Sequence, residues 1–501
     1  MSLRRRTFLL GGLAGAGAGL VAFSSASAAA TYPFALGVAS GEPSSDGFVI
    51  WTRLAPNPLN LDGFGGMPDQ PVTVDWQVAN DEYFRDVVAN GSVTAVRASA
   101  HSVHVELTGL PAGRVYWYRF RANGHTSQVG RTRTAPAVGT SPAMTMLFAS
   151  CAHYASGYYT AYRRMAEENP DLILHLGDYI YESAASDVRA HLPAKEITTL
   201  ADYRVRHAQY RSDVDLQAAH HVAPWAVVWD DHEVENNYAA MIRENSTPAG
   251  DFRARREAAY KAYYEHMPLR SAQLPSAENL QLYRRLRWGS LATLHMLDTR
   301  QYRMDQACDD GSKVCPAADD PARTITGATQ ESWLLDGMGQ RLGTWDLIGQ
   351  QVFFAQRLNN ADGARSMDAW DGYTANRKRL QDGWQARGNT STVVLTGDVH
   401  QHWAANIMNN YTSQDRIIGT ELVTTSIASG GDGNSGDNGV HSRNPHVKFN
   451  KNQRGYVRTV TTPTQMTVDF RVLDRVTVRD NPIKTAKSYV IQAGNPGLQN
   501  P

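Results

Sequence analysis

The chain has 501 residues, 42% of them apolar and 20% charged. That composition excludes extended disorder and leaves room for two or three domains. Lys plus Arg and Asp plus Glu both number 49, so no bulk charge excess draws in nucleic acid or an anionic membrane.

The first thirty residues stand apart, with a basic start, an apolar Gly/Ala-rich run and a small-residue end. They read as a signal peptide, cleaved near Ala28 or Ala30, and lie outside the fold. Arg5-Arg6-Thr7-Phe8-Leu9 matches the twin-arginine pattern. The expected partner is therefore the twin-arginine export machinery, which carries folded proteins and so allows metal loading before export. The alternative, a membrane anchor, is disfavoured by the many glycines that break the run. No later stretch is apolar and long enough to span a bilayer, so no membrane-spanning partner is expected. The expected location is the periplasm, the cell wall or the exterior.

Residues 31 to 138 read as all-β. Phe48–Thr52, Val72–Trp76 and Val103–Leu107 carry β-branched, aromatic or alternating residues. Leu110-Pro111-Ala112-Gly113 is a turn into Val115–Phe120. A Leu-Pro turn before a strand bearing Tyr resembles a fibronectin type III or immunoglobulin-like sandwich, with Tyr116 as the tyrosine corner. Thr134–Pro142 is a linker of small residues and proline, and the domain boundary falls at 138/139.

Beyond the linker the pattern alternates. Met144–Ala149 is a short apolar strand, Tyr158–Glu168 a helix stopped by Asn169-Pro170, and Asp171–Leu176 the next strand. Ala226–Trp229, Leu291–Leu297 and Thr392–Thr396 are further buried strands. Residues 251–266 form an amphipathic helix, and Gly455–Val472 a hairpin. The expected fold class is α/β: a β-sandwich over 31–138, then a layered α/β/β/α domain over 139–501.

Four of these strands deliver reactive residues at their carboxyl ends, where open α/β sheets place their sites. They are Ser150-Cys151, Gly177-Asp178-Tyr179-Ile180-Tyr181-Glu182, Asp230-Asp231-His232-Glu233 and Gly397-Asp398-Val399-His400-Gln401-His402. One Asp after a strand is usually a turn residue or a cap. Four such clusters together imply cations, because carboxylates gathered at one edge repel. The donor types are mixed. Structural zinc rarely uses Tyr, whereas phenolate suits a trivalent ion such as ferric iron. Asp231 and Asp398 suit a hard divalent ion such as calcium, magnesium or manganese, and Asp178 is placed to bridge. Cys308 and Cys315 bracket a short polar loop and predict a disulfide outside the cell, two free thiols being the alternative. Cys151 is then unpaired, which a ligand role explains.

Together with Phe148-Ala149-Ser150-Cys151 and Trp229 to Asn237, these motifs resemble the PhoD family of secreted alkaline phosphatases and phosphodiesterases, which have a calcineurin-like catalytic fold. The resemblance implies a ferric ion on Cys151, Asp178, Tyr181 and His400, and calcium on Asp178, Asp231 and Asp398. Asp231-His232-Glu233 occupies the place of the superfamily's Asn-His-Asp/Glu motif, which puts His232 beside the leaving group. Asp230 reads as a residue that orients its neighbours, and His175 and His402 as packing or supporting histidines. Asn236 and Asn237 could offer a carbonyl oxygen to calcium or cap a turn, the latter preferred. Arg300 and Arg303 could hold a phosphate oxygen or pair with Asp298 or another acid. Thr425–Gly433 is Gly-rich and similar to a family segment near the site, but lacks the setting of a P-loop.

The reaction expected is metal-assisted hydrolysis of phosphate monoesters or diesters, with an oxygen nucleophile activated at the ions and His232 protonating the departing alkoxide. Two alternatives stay open: a secreted phospholipase D acting on lipid phosphodiesters, and an exported binding protein whose ions are structural.

Overall fold

A computed structural model describes residues 31–244, 249–276, 279–434 and 441–501, the side chains of residues 249–251 excepted. The leader and its twin-arginine motif lie outside the described residues. Residues 32–501 form one unit.

Three apolar runs build the centre of a ten-stranded sheet: Met144–Ala149, Leu172–Leu176 and Trp225–Val228 pair in parallel. Their side chains are almost all buried, as expected of parallel strands covered on both faces. One flank of the sheet continues antiparallel through Gly455–Thr461, Gln465–Leu473, Ile483–Gln492 and Asn495–Gln499. The other flank is Val38–Ser44, Gly47–Arg53 and Ser102–Leu107, joined to the centre where Gly41 pairs with Trp225. Segments from the amino-terminal region thus extend the same sheet.

A seven-stranded sheet lies against it. Its parallel core is Ala292–Met296, Trp345–Gly349, Thr392–Thr396 and Ile417–Val423. Leu147, Leu174 and Ala226 of the first sheet share one apolar cluster with Leu294, Leu347, Leu395 and Leu422 of the second. Helices Thr160–Glu167, Leu200–Arg211 and Val214–Val222 contribute Tyr162, Tyr203 and Leu216 to that cluster. On the second sheet's other face, helices Gly327–Gly339 and Thr374–Ala386 place Leu334, Met338, Leu380 and Trp384 against Ile348 and Val394. This is the expected α/β/β/α layering.

The amino-terminal region is a sandwich. Val72–Ala79, Val87–Ala95 and Val115–Ala122 form a second sheet, and Val74, Val78, Tyr116 and Phe120 meet Val38, Phe48, Ile50 and Val103 in a separate core. Tyr116 Oη donates to Pro111 O at 3.3 Å, the tether of a tyrosine corner. Tyr116→Phe keeps the ring and loses this bond. It is expected to lower the unfolding free energy by about 1 kcal/mol, read as a shifted urea midpoint.

Cys308 and Cys315 form a disulfide. The helix expected at 251–266 spans Ala249–His266, but it is less one-sided than expected, because it buries Arg255, Arg256 and Glu265 beside Tyr260 and Tyr263. Among the described residues, no helix is long and apolar enough to cross a membrane.

Candidate metal centre

Both sheets end their parallel strands at one place, and the loops there are tightly apposed. A Cβ on Gly177 would lie 2.4 Å from Asp230 Cβ, and one on Gly397 would lie 2.7 Å from Ser150 Oγ. Only glycine permits these approaches. The residues next to them carry the chemistry, and four are in the left-handed region: Cys151 (φ 59°), Asp178 (56°), Asp398 (65°) and His400 (54°). Such backbone costs about 1–3 kcal/mol per residue and concentrates where geometry matters more than local comfort.

Two groups of donor atoms result. Cys151, Asp178 and His400 bring ligand atoms within 4.8 Å of one another, and so do Asp178, Asp231 and His232. Asp178 is common to both. Tyr181 joins the first group: its Oη donates to Asp178 Oδ2 at 2.9 Å and lies 3.1 Å from His400 Nε2. Asp398 falls outside both groups, although the charges of Asp230, Asp368 and Asp231 act on it.

The electrostatics call for a cation. Burial pushes the carboxyls of Asp178 and Asp398 well up, and neighbouring acids push them further. Burial raises Asp230 to about 7 even though Arg300 opposes it. Burial and then Asp178 raise the Cys151 thiol and the Tyr181 phenol. Asp178 Oδ1, Asp230 Oδ2 and Asp231 Oδ1 are buried with no hydrogen-bond partner among the described residues. Buried acceptors left bare are costly unless something binds them. A thiol, a phenol, an imidazole and bare carboxylate oxygens together form a donor set that fits metal ions.

His232 sits over Tyr181, with ring centroids 4.2 Å apart, and its Nδ1 lies 2.7 Å from Glu182 Oε2. Burial disfavours its charge, but Glu182, Asp231 and Asp178 together raise its pKa well above the ordinary value. Glu182 is held down at about 2: His232 and the backbone N–H of Asn236 outweigh its burial.

Arg300 takes the second of the two roles left open for it. It is fully buried; Nε donates to Asp230 Oδ1 at 2.5 Å, and both Nη groups donate to Asp368 at 2.8 Å. Arg303 also bonds Asp368, so the acid that pairs with both arginines is Asp368 rather than Asp298. Asn236 and Asn237 behave as loop residues. Their side chains bond Glu244 and Asp310, and the Asn237 N–H caps Asp231 Oδ2 at 2.6 Å. His175 is a core residue between Tyr162 and Trp225. His402 supports the Gly-rich loop, accepting from Thr425 N at 3.1 Å.

That loop closes the site from the second sheet. Ser429 Oγ lies 2.8 Å from Tyr181 Oη and 2.7 Å from Cys151 O, and Arg454 ties the loop to the His400 carbonyl. Glu233 accepts from the N–H groups of Asp178, Tyr179 and Asp230, clamping two strand ends together. Glu182 and Glu233 stand inside the motifs that sequence reading singled out, without a role attached to them. His153 follows Cys151 by two residues and packs edge-on to Tyr181 at 4.6 Å. Asp368 and Arg454 follow no strand-end cluster, and nothing in the sequence marks them.

A family model described as PhoD-like phosphatase matches residues 146–470, and one described as its N-terminal domain matches residues 20–136. Alkaline phosphatase D of Bacillus subtilis (strain 168) is 49% identical over 486 residues, covering 94% of this chain and 82% of that protein. A solved structure of PhoD superposes with a TM-score of 0.91 at 48% identity, over 94% of this chain and 92% of the other. A purple acid phosphatase from yellow lupin seeds shares the fold at a TM-score of 0.57 and 12% identity, over 91% and 73%.

Proposed function

This chain belongs to the PhoD-like phosphatase family, and from that premise we propose an exported phosphatase and phosphodiesterase that holds ferric iron and calcium at the converged strand ends. It is a phosphoric ester hydrolase. The binding-protein alternative is thereby set aside. The observation that carries the reading is the meeting of Cys151, Tyr181 and His400 with bare carboxylate oxygens around Asp178.

In this reading Cys151, Asp178, Tyr181 and His400 hold the ferric ion, and Asp178, Asp231 and Asp398 hold calcium, with manganese or magnesium as substitutes. Thiolate and phenolate are the anionic donors that favour the trivalent ion, and carboxylates suit the hard divalent one. When bound, the ions neutralise the phosphate oxygens and activate water for in-line attack on phosphorus.

The chain's own groups do the rest. Glu182 fixes the His232 ring through Nδ1, which leaves Nε2 to deliver a proton to the departing oxygen. Arg300 neutralises Asp230 and Asp368 and so keeps Asp231 from meeting a wall of like charge. Glu233 and Ser429 hold the strand ends at their spacing.

Export to the periplasm, cell wall or exterior rests on the twin-arginine leader and on the Cys308–Cys315 disulfide, a bond typical of oxidising compartments. The division at 138/139 is retained as part of the proposal, with the sandwich shaping one flank of the catalytic unit.

Removing metal with a chelator is expected to abolish hydrolysis of both p-nitrophenyl phosphate and its bis ester. The metal-loaded protein is expected to show a visible phenolate-to-iron band that Tyr181→Phe removes. Full turnover after complete metal removal would reject the reading. Phosphatidylcholine, assayed beside the two esters, separates a lipid diesterase from a general one.

A further inference from the structure

Of the arginines around the site, Arg206, Arg300, Arg303 and Arg454 are committed to the protein. Arg206 gives its guanidinium to the carbonyls of Tyr181, Ser183, Leu192, Pro193 and Lys195. Arg300 and Arg303 spend their guanidinium groups on Asp230, Asp368 and the Thr299 carbonyl. Arg454 spends both Nη groups on His400 O, Ser426, Ser429 and Asn452. Arg357 is different. Its Nε donates to Asn359 Oδ1 at 3.1 Å, while Nη1 and Nη2 have no partner among the described residues. The residue is half-buried, and its unpartnered Nη groups are not among the fully buried polar atoms.

The fold places Arg357 beside the catalytic loop and holds it still. The segment after strand Trp345–Gly349 runs against the end of Thr392–Thr396, where Gly397 N donates to Gln351 O at 2.8 Å. Two buried acids pin it from there: Glu421 accepts from the N–H of Phe354 and Ala355, and Asp371 from the N–H of Arg357 itself at 2.7 Å. The guanidinium lies over Phe353 (4.6 Å) and Trp403 (5.2 Å), in a cluster onto which Val399 also packs. Val399 stands between Asp398 and His400. Burial depresses the pKa of Arg357; of the acids that offset this, Asp398 contributes most, before Asp371 and Glu421. Asp371 and Glu421 already accept bonds from the backbone. Trp403 and Val399 belong to the segment that carries Asp398 and His400, so their packing sets the guanidinium beside the loop that bears the candidate ligands.

We propose that Arg357 binds the substrate's phosphate group and favours doubly charged monoesters over singly charged diesters. The assignment rests on the hydrolase reading above and supplies the phosphate-binding cation that Arg300, already consumed, does not. A guanidinium presents a fork that matches two phosphate oxygens, and its stacked, backbone-pinned position removes most of the ordering cost. A monoester carries close to two negative charges at neutral pH and offers three oxygens free of ester bonds, whereas a diester carries one charge and offers two. A fixed positive charge therefore acts more strongly on the former.

The test compares Arg357→Met and Arg357→Lys with the wild-type holoenzyme on p-nitrophenyl phosphate and bis(p-nitrophenyl) phosphate, together with inhibition by inorganic phosphate. For Arg357→Met, monoester kcat/KM is expected to fall roughly 10- to 100-fold, mostly through KM, as for a lost charge-assisted hydrogen bond. The diester should lose less than about threefold, and the inhibition constant for phosphate should rise in parallel with the monoester KM. Arg357→Lys should recover part of the monoester loss, because charge returns without the fork. Equal losses on both esters, or an unchanged phosphate constant, would overturn the proposal even with a fully active wild-type enzyme. Absence of wild-type turnover on either ester would instead overturn the hydrolase reading. Matching thermal melts establish that each variant is folded; if Arg357→Met unfolds, the Lys variant carries the same comparison.

Discussion

Asp178→Asn is expected to lower kcat/KM on every phosphate ester by about 1,000-fold or more and to reduce bound metal at both positions. Stabilisation of transition-state charge by metal ions amounts to several kcal/mol, and each 1.36 kcal/mol is tenfold in rate. Asp178 is the residue shared by the two donor groups, so one substitution disturbs both. The amide keeps the size and can still accept from Tyr181, but it cannot supply a negative charge. The backbone is already in the left-handed region at φ 56°, where Asn is as comfortable as Asp. Loss of fold is therefore not the expected cause. Elemental analysis beside the kinetics checks this. A variant with full activity and full metal content would remove Asp178 from the site's chemistry.

His232→Asn should cost about 100- to 10,000-fold in kcat on esters of alkyl alcohols, the range for a general acid. On p-nitrophenyl phosphate the loss should be much smaller, because p-nitrophenolate leaves without a proton. The contrast matters because the geometry allows two roles for His232. Its Nδ1 is held by Glu182, and the ring also lies within ligand distance of Asp178 and Asp231. A proton donor predicts a steep dependence on leaving group with metal content unchanged. A ligand predicts loss of metal and equal losses on all esters. Plotting log kcat against leaving-group pKa for both proteins distinguishes the two.

Much of this centre is legible in the chain before any folding is considered. Short apolar strands ending in Cys151, Asp178, Asp231 and Asp398 announce their layer and their site together, because parallel strands are buried on both faces and must carry polar groups at their ends. Other elements hide. Leu200–Arg211 buries Arg204, Arg206, His207 and Arg211, so its sequence shows little apolar periodicity. Those charges are tolerated because partners far along the chain, such as Glu265 for Arg204, satisfy them.

The arginines draw the same line inside the site. Donor types alone mark these strand ends as candidate metal ligands, since thiol, phenol, imidazole and carboxylate declare their chemistry wherever they stand. A guanidinium does not. Whether Arg300 or Arg357 is free to meet a phosphate depends on which acids lie within 3 Å of it, and Asp368 reaches Arg300 from 68 residues away. Local sequence carries strand, loop and donor identity because these follow from covalent neighbours and burial pattern. Pairing between distant charges is decided only when the two sheets stack, since the free energy of a buried ion depends on the partner brought beside it.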